Sequence, residues 1–253
     1  MTALVLVALL VTVAGAIRST WSPCGLSMLT SINPIAERGR GHRYSITATW
    51  FLIGSLAGGA TLGAGIALFA LGIDLTGVPL ASRLVLGSLG AVVAVLLDTG
   101  LLGIELPILR RQVNERWLDE RRGWFYGVGF GWQIGVGFAT YVMTGAVLLV
   151  VLLGSLSASA TIGLGLGVVF GLVRGVAVLL SANASSQEAL RSLLRRLDAL
   201  EEPIRRVVMV IEIAAAGFLA LRVSIWLAVG VVILGAAALG IGLRRAPVTS
   251  KGA

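Results

Sequence analysis

One cysteine and one histidine among 253 residues leave little from which to build a redox or metal centre. A single cysteine forms no disulfide within the chain and no cysteine-based zinc cluster. The histidine, His42, sits inside a run of arginines, the setting of a solvated loop residue rather than a ligand. His, Cys and Met clusters are missing, which argues against a soft-metal cargo. Long polar runs are missing too: the longest are about 15–20 residues, too short to enclose a core. Ser22, Ser27 and Thr30 have no histidine in reach by sequence. Paired carboxylates for acid–base chemistry and a Walker-type phosphate loop are not evident, and the glycine strings lie in apolar stretches rather than after a strand. These absences point away from an enzyme and from any cofactor.

What is present is apolar. Hydrophobic residues make up 57% of the chain and charged residues 13%, with a mean hydropathy of +0.96, far outside the soluble globular range. The basic residues are not scattered. Arg38, Arg40 and Arg43 form one block; Arg110, Arg111, Arg116, Arg121 and Arg122 a second; Arg191, Arg195, Arg196, Arg205 and Arg206 a third; Arg244, Arg245 and Lys251 a fourth. Sixteen of the 20 Lys and Arg residues lie in these blocks. Retained Lys and Arg mark cytoplasmic loops, so the net charge of +8 is a topology signal. A nucleic-acid partner is not expected, because no soluble surface interleaves basic and aromatic residues.

Apolar stretches of about 20 residues cross the hydrocarbon core as helices. They predict an all-α, multi-pass integral membrane protein, one transmembrane domain over 1–253, with the bilayer as its first partner and the inner membrane as its location. The first span starts at Ala3–Ile17, which lacks the basic n-region of a signal peptide. Further spans fall at 45–73, 79–107, 124–154, 157–182, 204–222 and 224–243. Seven helices put the N-terminus outside, the C-terminus in the cytoplasm and every basic block on one side. The boundary at Arg222 and Ser224 is thin, and fusion there would leave six.

The first span is irregular: Pro23, Gly25 and Pro34 interrupt its helical hydrogen bonding. Broken backbone inside a membrane is tolerated where protein buries it or where it lines a cavity. Small residues every four positions, at Ser55, Gly59 and Gly63, at Gly127, Gly131, Gly135 and Ala139, and at Gly163, Gly167, Gly171 and Gly175, allow close helix contact. Gly129 and Gly137 add to the second of these ladders, which makes Gly129, Gly131 and Gly135 hinge candidates. Residues 185–202 alternate leucine and charge at helical spacing, with Ser185 and Glu188 as a capping box and Pro203 as the stop. This reads as an amphipathic helix on the cytoplasmic face.

Charges inside apolar spans need partners or a water-filled cavity. At about 1.5 Å per residue, Glu212 lies roughly 9 Å from the nearest basic loop, Arg174 roughly 13 Å, Gln133 roughly 16 Å and Asp98 roughly 18 Å. The four share one layer, a candidate transport or ion-pair site in which Arg174 is expected to pair with Glu212. Arg18 and Arg222 also border the spans.

Trp21-Ser22-Pro23-Cys24, at the end of a short first span, resembles the membrane core of the CcdA/DsbD-type cytochrome c biogenesis family. That resemblance implies two inverted three-helix repeats, here 3–107 and 124–222, followed by an extra span at 224–243. It also implies a working site where the two broken helices meet, with Trp21, Pro23 and Cys24 as a redox or gate element. The family uses one cysteine in each repeat. Here the second repeat reads Trp132-Gln133-Ile134-Gly135, so exchange within the chain is excluded. Three classes survive: a carrier of a small solute, which is favoured; a thiol-redox or cytochrome c maturation factor in which Cys24 works with a membrane or extracytoplasmic protein partner; and a structural or assembly subunit of a membrane complex. A reporter fused after Ser250 is expected to be active in the cytoplasm and silent outside; the reverse would remove the seventh span.

Overall fold

The computed structural model of the protein describes residues 2–103, 123–139 and 141–245, with side chains as far as residue 242. The block at 110–122, the end of the first repeat at 104–107, and Lys251 lie outside the described residues. Among the described residues the chain is helical and without strands. In order, the helices are α1 (Thr2–Arg18), α2 (Pro23–Ser31), α3 (Pro34–Gly39), α4 (Tyr44–Leu75), α5 (Leu80–Asp98), α6 (Gly123–Val136), α7 (Gly145–Leu156), α8 (Ala160–Val176), α9 (Gln187–Leu221) and α10 (Ile225–Arg245). Short 3-10 turns extend α1 at Ser19–Trp21 and α8 at Ala177–Ser181.

Five segments, Thr2–Trp21, Tyr44–Leu75, Leu80–Asp98, Ala160–Ser181 and Ile225–Gly242, are long and apolar enough to cross a membrane, the architecture of an α-helical membrane protein. The stretches at 124–154 and 204–222 take other forms. The first is cut into α6 and α7. The second is the latter part of α9, where Arg205, Arg206 and Glu212 interrupt the apolar run.

Helix α9 departs from the sequence reading. Pro203 was expected to end an amphipathic helix, yet α9 continues through it for 35 residues. Proline removes one backbone donor, and here both Pro203 and Ala199, whose carbonyl loses that donor, are exposed, so the carbonyl is not left buried without a partner. The N-cap is Ser186, which accepts from the Ala189 amide at 3.1 Å, rather than Ser185. The amphipathic turns are not laid wholly on lipid: Leu197 is buried, and Leu193 packs with it against Trp21, Cys24 and Tyr126. A turn at 222–224 then folds α10 back beside α9, with Gly217 against Val232 and Gly235 against Ile213. The two helices are separate and antiparallel, so the fused helix is not formed.

Glycine contacts fix the centre of the bundle. Gly127 lies beside Thr47, Gly131 beside Phe51 and Gly135 beside Ser55, so α4 and α6 run parallel. Gly171 lies beside Gly59 and Gly163 beside Ala67, so α4 and α8 run antiparallel. In each case a β-carbon would fall on backbone of the facing helix, the close approach that small residues permit in lipid. Ser55 adds a hydrogen bond, its hydroxyl donating to the Gly171 carbonyl at 2.7 Å. Gly135→Val is therefore expected to abolish recovery of folded, monodisperse protein after detergent extraction. Gly65→Val, on α4 with nothing within 4 Å of its β-carbon position, is expected to leave recovery unchanged; equal recovery of both variants would show that the glycine contacts do not hold the bundle.

Candidate functional site

The chain leaves α6 after Val136. Gly137 has φ +75°, and a β-carbon there would meet the Phe170 ring at 2.9 Å. Its left-handed backbone and its tight fit against α8 both call for glycine. Helical structure resumes at Gly145, with Thr144 as the N-cap accepting from the Ala146 amide at 3.3 Å. Gly129, Gly131 and Gly135 lie within the regular turns of α6, before this break. An interrupted helix leaves carbonyls unpaired at the end of its first half and amides unpaired at the start of its second. In hydrocarbon, protein groups have to satisfy both.

Charged side chains meet both sets. Arg174, on α8, donates from Nη1 to the Ile134 carbonyl in the last turn of α6 at 2.8 Å. Asp98, at the end of α5, accepts from the Thr144 hydroxyl at 2.6 Å and from the Gly145 amide. At the far end of α7, Arg83 donates to the Leu156 carbonyl at 3.4 Å. Each charge has the sign that the helix end requires: positive at C-termini, negative at the N-terminus. Helix α5 therefore holds α7 at both ends, through Asp98 and Arg83.

Arg174 also ties in the other interrupted span. Its Nη2 donates to the Ser19 carbonyl at 3.2 Å and to the Ser22 hydroxyl at 3.4 Å. Ser22 is the N-cap of α2, accepting from the Gly25 amide at 3.1 Å, and Pro23 follows at the first helical position, where its missing N–H costs nothing. Trp21 donates from Nε1 to the Leu197 carbonyl at 2.7 Å, fastening this turn beneath α9. Cys24 is fully buried within electrostatic reach of Arg174. One guanidinium thus joins the two breaks.

The expected layer of four does not converge. Arg174 is committed to carbonyls, and among the described residues no ion pair links it to Glu212. Counting depth ranks residues along their helices and says nothing about which way each one faces. Gln133 sits half-buried on α6, just before the Ile134 carbonyl that Arg174 holds. Asp98 and Glu212 do come together, within electrostatic reach of one another. Around Asp98 stand Arg18 and Arg205. Arg205 donates to the Asp98 backbone carbonyl at 3.4 Å and binds Glu202 through two bonds of 2.7 and 3.0 Å, which hold the Glu202 carboxyl below the usual carboxylate range. Arg18, buried, reaches Glu201 at 3.3 Å. Its Nε and Nη1 have no hydrogen-bond partner among the described residues, and neither has either oxygen of Glu212.

Glu201 opens this cluster to the outside. With Trp21, Ser27, Thr30, Arg195 and Asp198 it lines a cavity of about 490 Å³ between α2 and the first half of α9. Glu37 is a second buried acid that sequence reasoning passed over. It accepts from the Tyr126 and Thr47 hydroxyls and pairs with Arg40 at 3.1 Å. The signal available for it was its place four residues after Asn33, whose side chain caps α3, so that it turns inward while the arginines around it stay out. His42, expected in solvent, is half-buried with its ring 6.4 Å from that of Tyr126. Among the described residues no group of three His, Cys, Asp or Glu could hold a metal ion.

Removing the Arg174 guanidinium takes away its bonds to the Ile134 and Ser19 carbonyls, each of which keeps a backbone donor, Gly137 and Ser22; a hydrogen bond from a charged group contributes about 1.5–3 kcal/mol. Thermal melting of the purified protein is expected to rank wild type above Arg174→Lys, which keeps a charge without the fork, and Arg174→Lys above Arg174→Met; an unshifted Arg174→Met would mean that the tie carries no stability. Models of protein families, curated proteins and solved structures, compared with this chain, contain no match to it.

Proposed function

We propose that the protein is a carrier of a small solute in a bacterial-type inner membrane, with a CcdA-like inverted-repeat core. One observation carries this reading: two interrupted helices, α1–α2 and α6–α7, converge on Arg174, deep in the bundle. Irregular backbone at membrane depth is tolerated where protein buries it or where it lines a water-filled cavity, and discontinuous helices meeting between repeats are how secondary carriers build their binding sites. In this reading α4, α6 and α8 form a rigid block locked by glycine, and α5 with α7 forms a second unit clamped by Asp98 and Arg83. The connection from α6 to α7, which opens at Gly137, is the joint between them. The basic blocks assign the end of the bundle carrying Arg38–Arg43 and Arg191–Arg206 to the cytoplasm.

The burial of Cys24 favours the carrier over a maturation factor, since a mixed disulfide needs a thiol that its partner can reach. An assembly subunit would use the same glycine contacts, but it has no need of a joint. The two are separated at Ala139, half-buried in the turn that follows α6. The variant is Ala139→Cys in a Cys24→Ser background, labelled in oriented proteoliposomes with a membrane-impermeant maleimide. A carrier exposes the joint to either side in turn, so labelling is expected from both faces. Labelling from one face, or from neither, would overturn the proposal.

A further inference from the structure

Among the charges gathered where α1, α5, α7 and α9 meet, partners are unequally distributed. Arg18 is met by Glu201 and Arg205 by Glu202. Asp98 is met by the Thr144 hydroxyl and the Gly145 amide at the start of α7. Glu212 is fully buried and met by nothing among the described residues. An ionised carboxylate left unpaired in a packed apolar core is costly. The missing partner has to be small, because Val208, Ala215 and Ala216 fill the space around that turn of α9.

We propose that Glu212 is a proton-binding site reached from the cavity at Glu201, and that a proton is therefore the ion whose binding is linked to movement at the joint. The second half of the statement rests on the carrier reading; the first does not. The step is a simple protonation: a hydronium ion arriving through the cavity gives up one proton to the Glu212 carboxylate, leaving a neutral carboxylic acid and a water molecule, and the reverse step returns it.

Three observations select the proton over other cargo. A metal cation needs several oxygen ligands, and both oxygens of Asp98 are already taken by donors, leaving the two of Glu212. An anion would face Glu212 and Asp98 together. Glu201, at the cavity, and Glu212 also share one face of α9. Glu201, Arg205, Val208 and Glu212 follow at spacings of four, three and four, one stripe on the helix, about 16 Å from cavity to core. At one end Glu201 has a side chain 44% exposed. The charged group that faces Glu212 and would tune its titration is Asp98 on α5; Asp98 is in turn within reach of Arg18 on α1 and Arg205 on α9, which pair with Glu201 and Glu202. Helix α7 and the described side chains of α10 bring no charge.

The test is an infrared pH titration of the full-length protein in proteoliposomes, reading the C=O stretch of buried carboxylic acid. The wild type is expected to show such a band, appearing as pH falls and disappearing as it rises, and Glu212→Gln to lose it. A titrating band that survives Glu212→Gln, or no band at any pH, overturns the site. Glu201→Gln is expected to keep the band while slowing its response to a pH jump; an unchanged rate overturns the route. Should Glu212→Gln fail to fold, dicyclohexylcarbodiimide, which attacks protonated carboxyls in apolar surroundings, decides the matter on the wild type: a Glu212 adduct favoured at low pH supports the site, and its absence while other carboxyls react refutes it. Two-sided labelling of Ala139→Cys without a Glu212 band removes the proton and leaves the carrier, whereas the band with one-sided labelling removes the carrier and leaves the proton site.

Discussion

A helix interrupted inside a membrane has to find donors and acceptors for its own freed ends, and this requirement organises the bundle. The gap between α6 and α7 sets helix-end carbonyls on one side and helix-start amides on the other. Arg174 answers the first and Asp98 the second. Both come from neighbouring helices, so both bind those helices in place. The relation is reciprocal: a guanidinium and a carboxylate are tolerated at this depth because helix ends of the right polarity await them.

The glycine ladders serve the same end by a different means. They bring α4 within backbone contact of α6 and α8, which positions Arg174 on α8 against the end of α6. Dispersion between closely packed helices takes the place of the hydrophobic drive that lipid does not supply. The charged clamp of α5 on α7 packs against this block through one shared apolar core. Glu212 and Arg18, on α9 and α1, are the buried charges whose partners are incomplete. The bundle thus separates groups used to satisfy backbone from groups left with unmatched polarity.

Resemblance and geometry meet at the Trp21-Ser22-Pro23-Cys24 turn. In the chain it caps and starts α2, hydrogen-bonds to α9 through Trp21 and accepts from Arg174 through the Ser22 hydroxyl. All of these uses are structural. The turn shapes the crossing of the two interrupted spans whether or not a thiol reacts there.

Much of this molecule follows from one-dimensional pattern. Hydropathy and the arginine blocks are properties of consecutive residues, and the membrane reads them in the same way, through length and charge; helix class, the long apolar segments and the interruption of the first span follow from them. The glycine spacing likewise announces close contact, because a period of four marks one helix face wherever that face points. Tertiary structure decided the rest. It set which way each buried charge turns, so Arg174 went to Ile134 and Ser19 instead of Glu212, while Asp98 and Glu212 came together. It placed the break in the helix at Gly137, where the Phe170 ring leaves room for no side chain, and it carried α9 through Pro203, which stands exposed on that helix. Depth along a helix is additive in sequence, whereas azimuth and partnership depend on residues far away in the chain, and they are settled only when the helices meet.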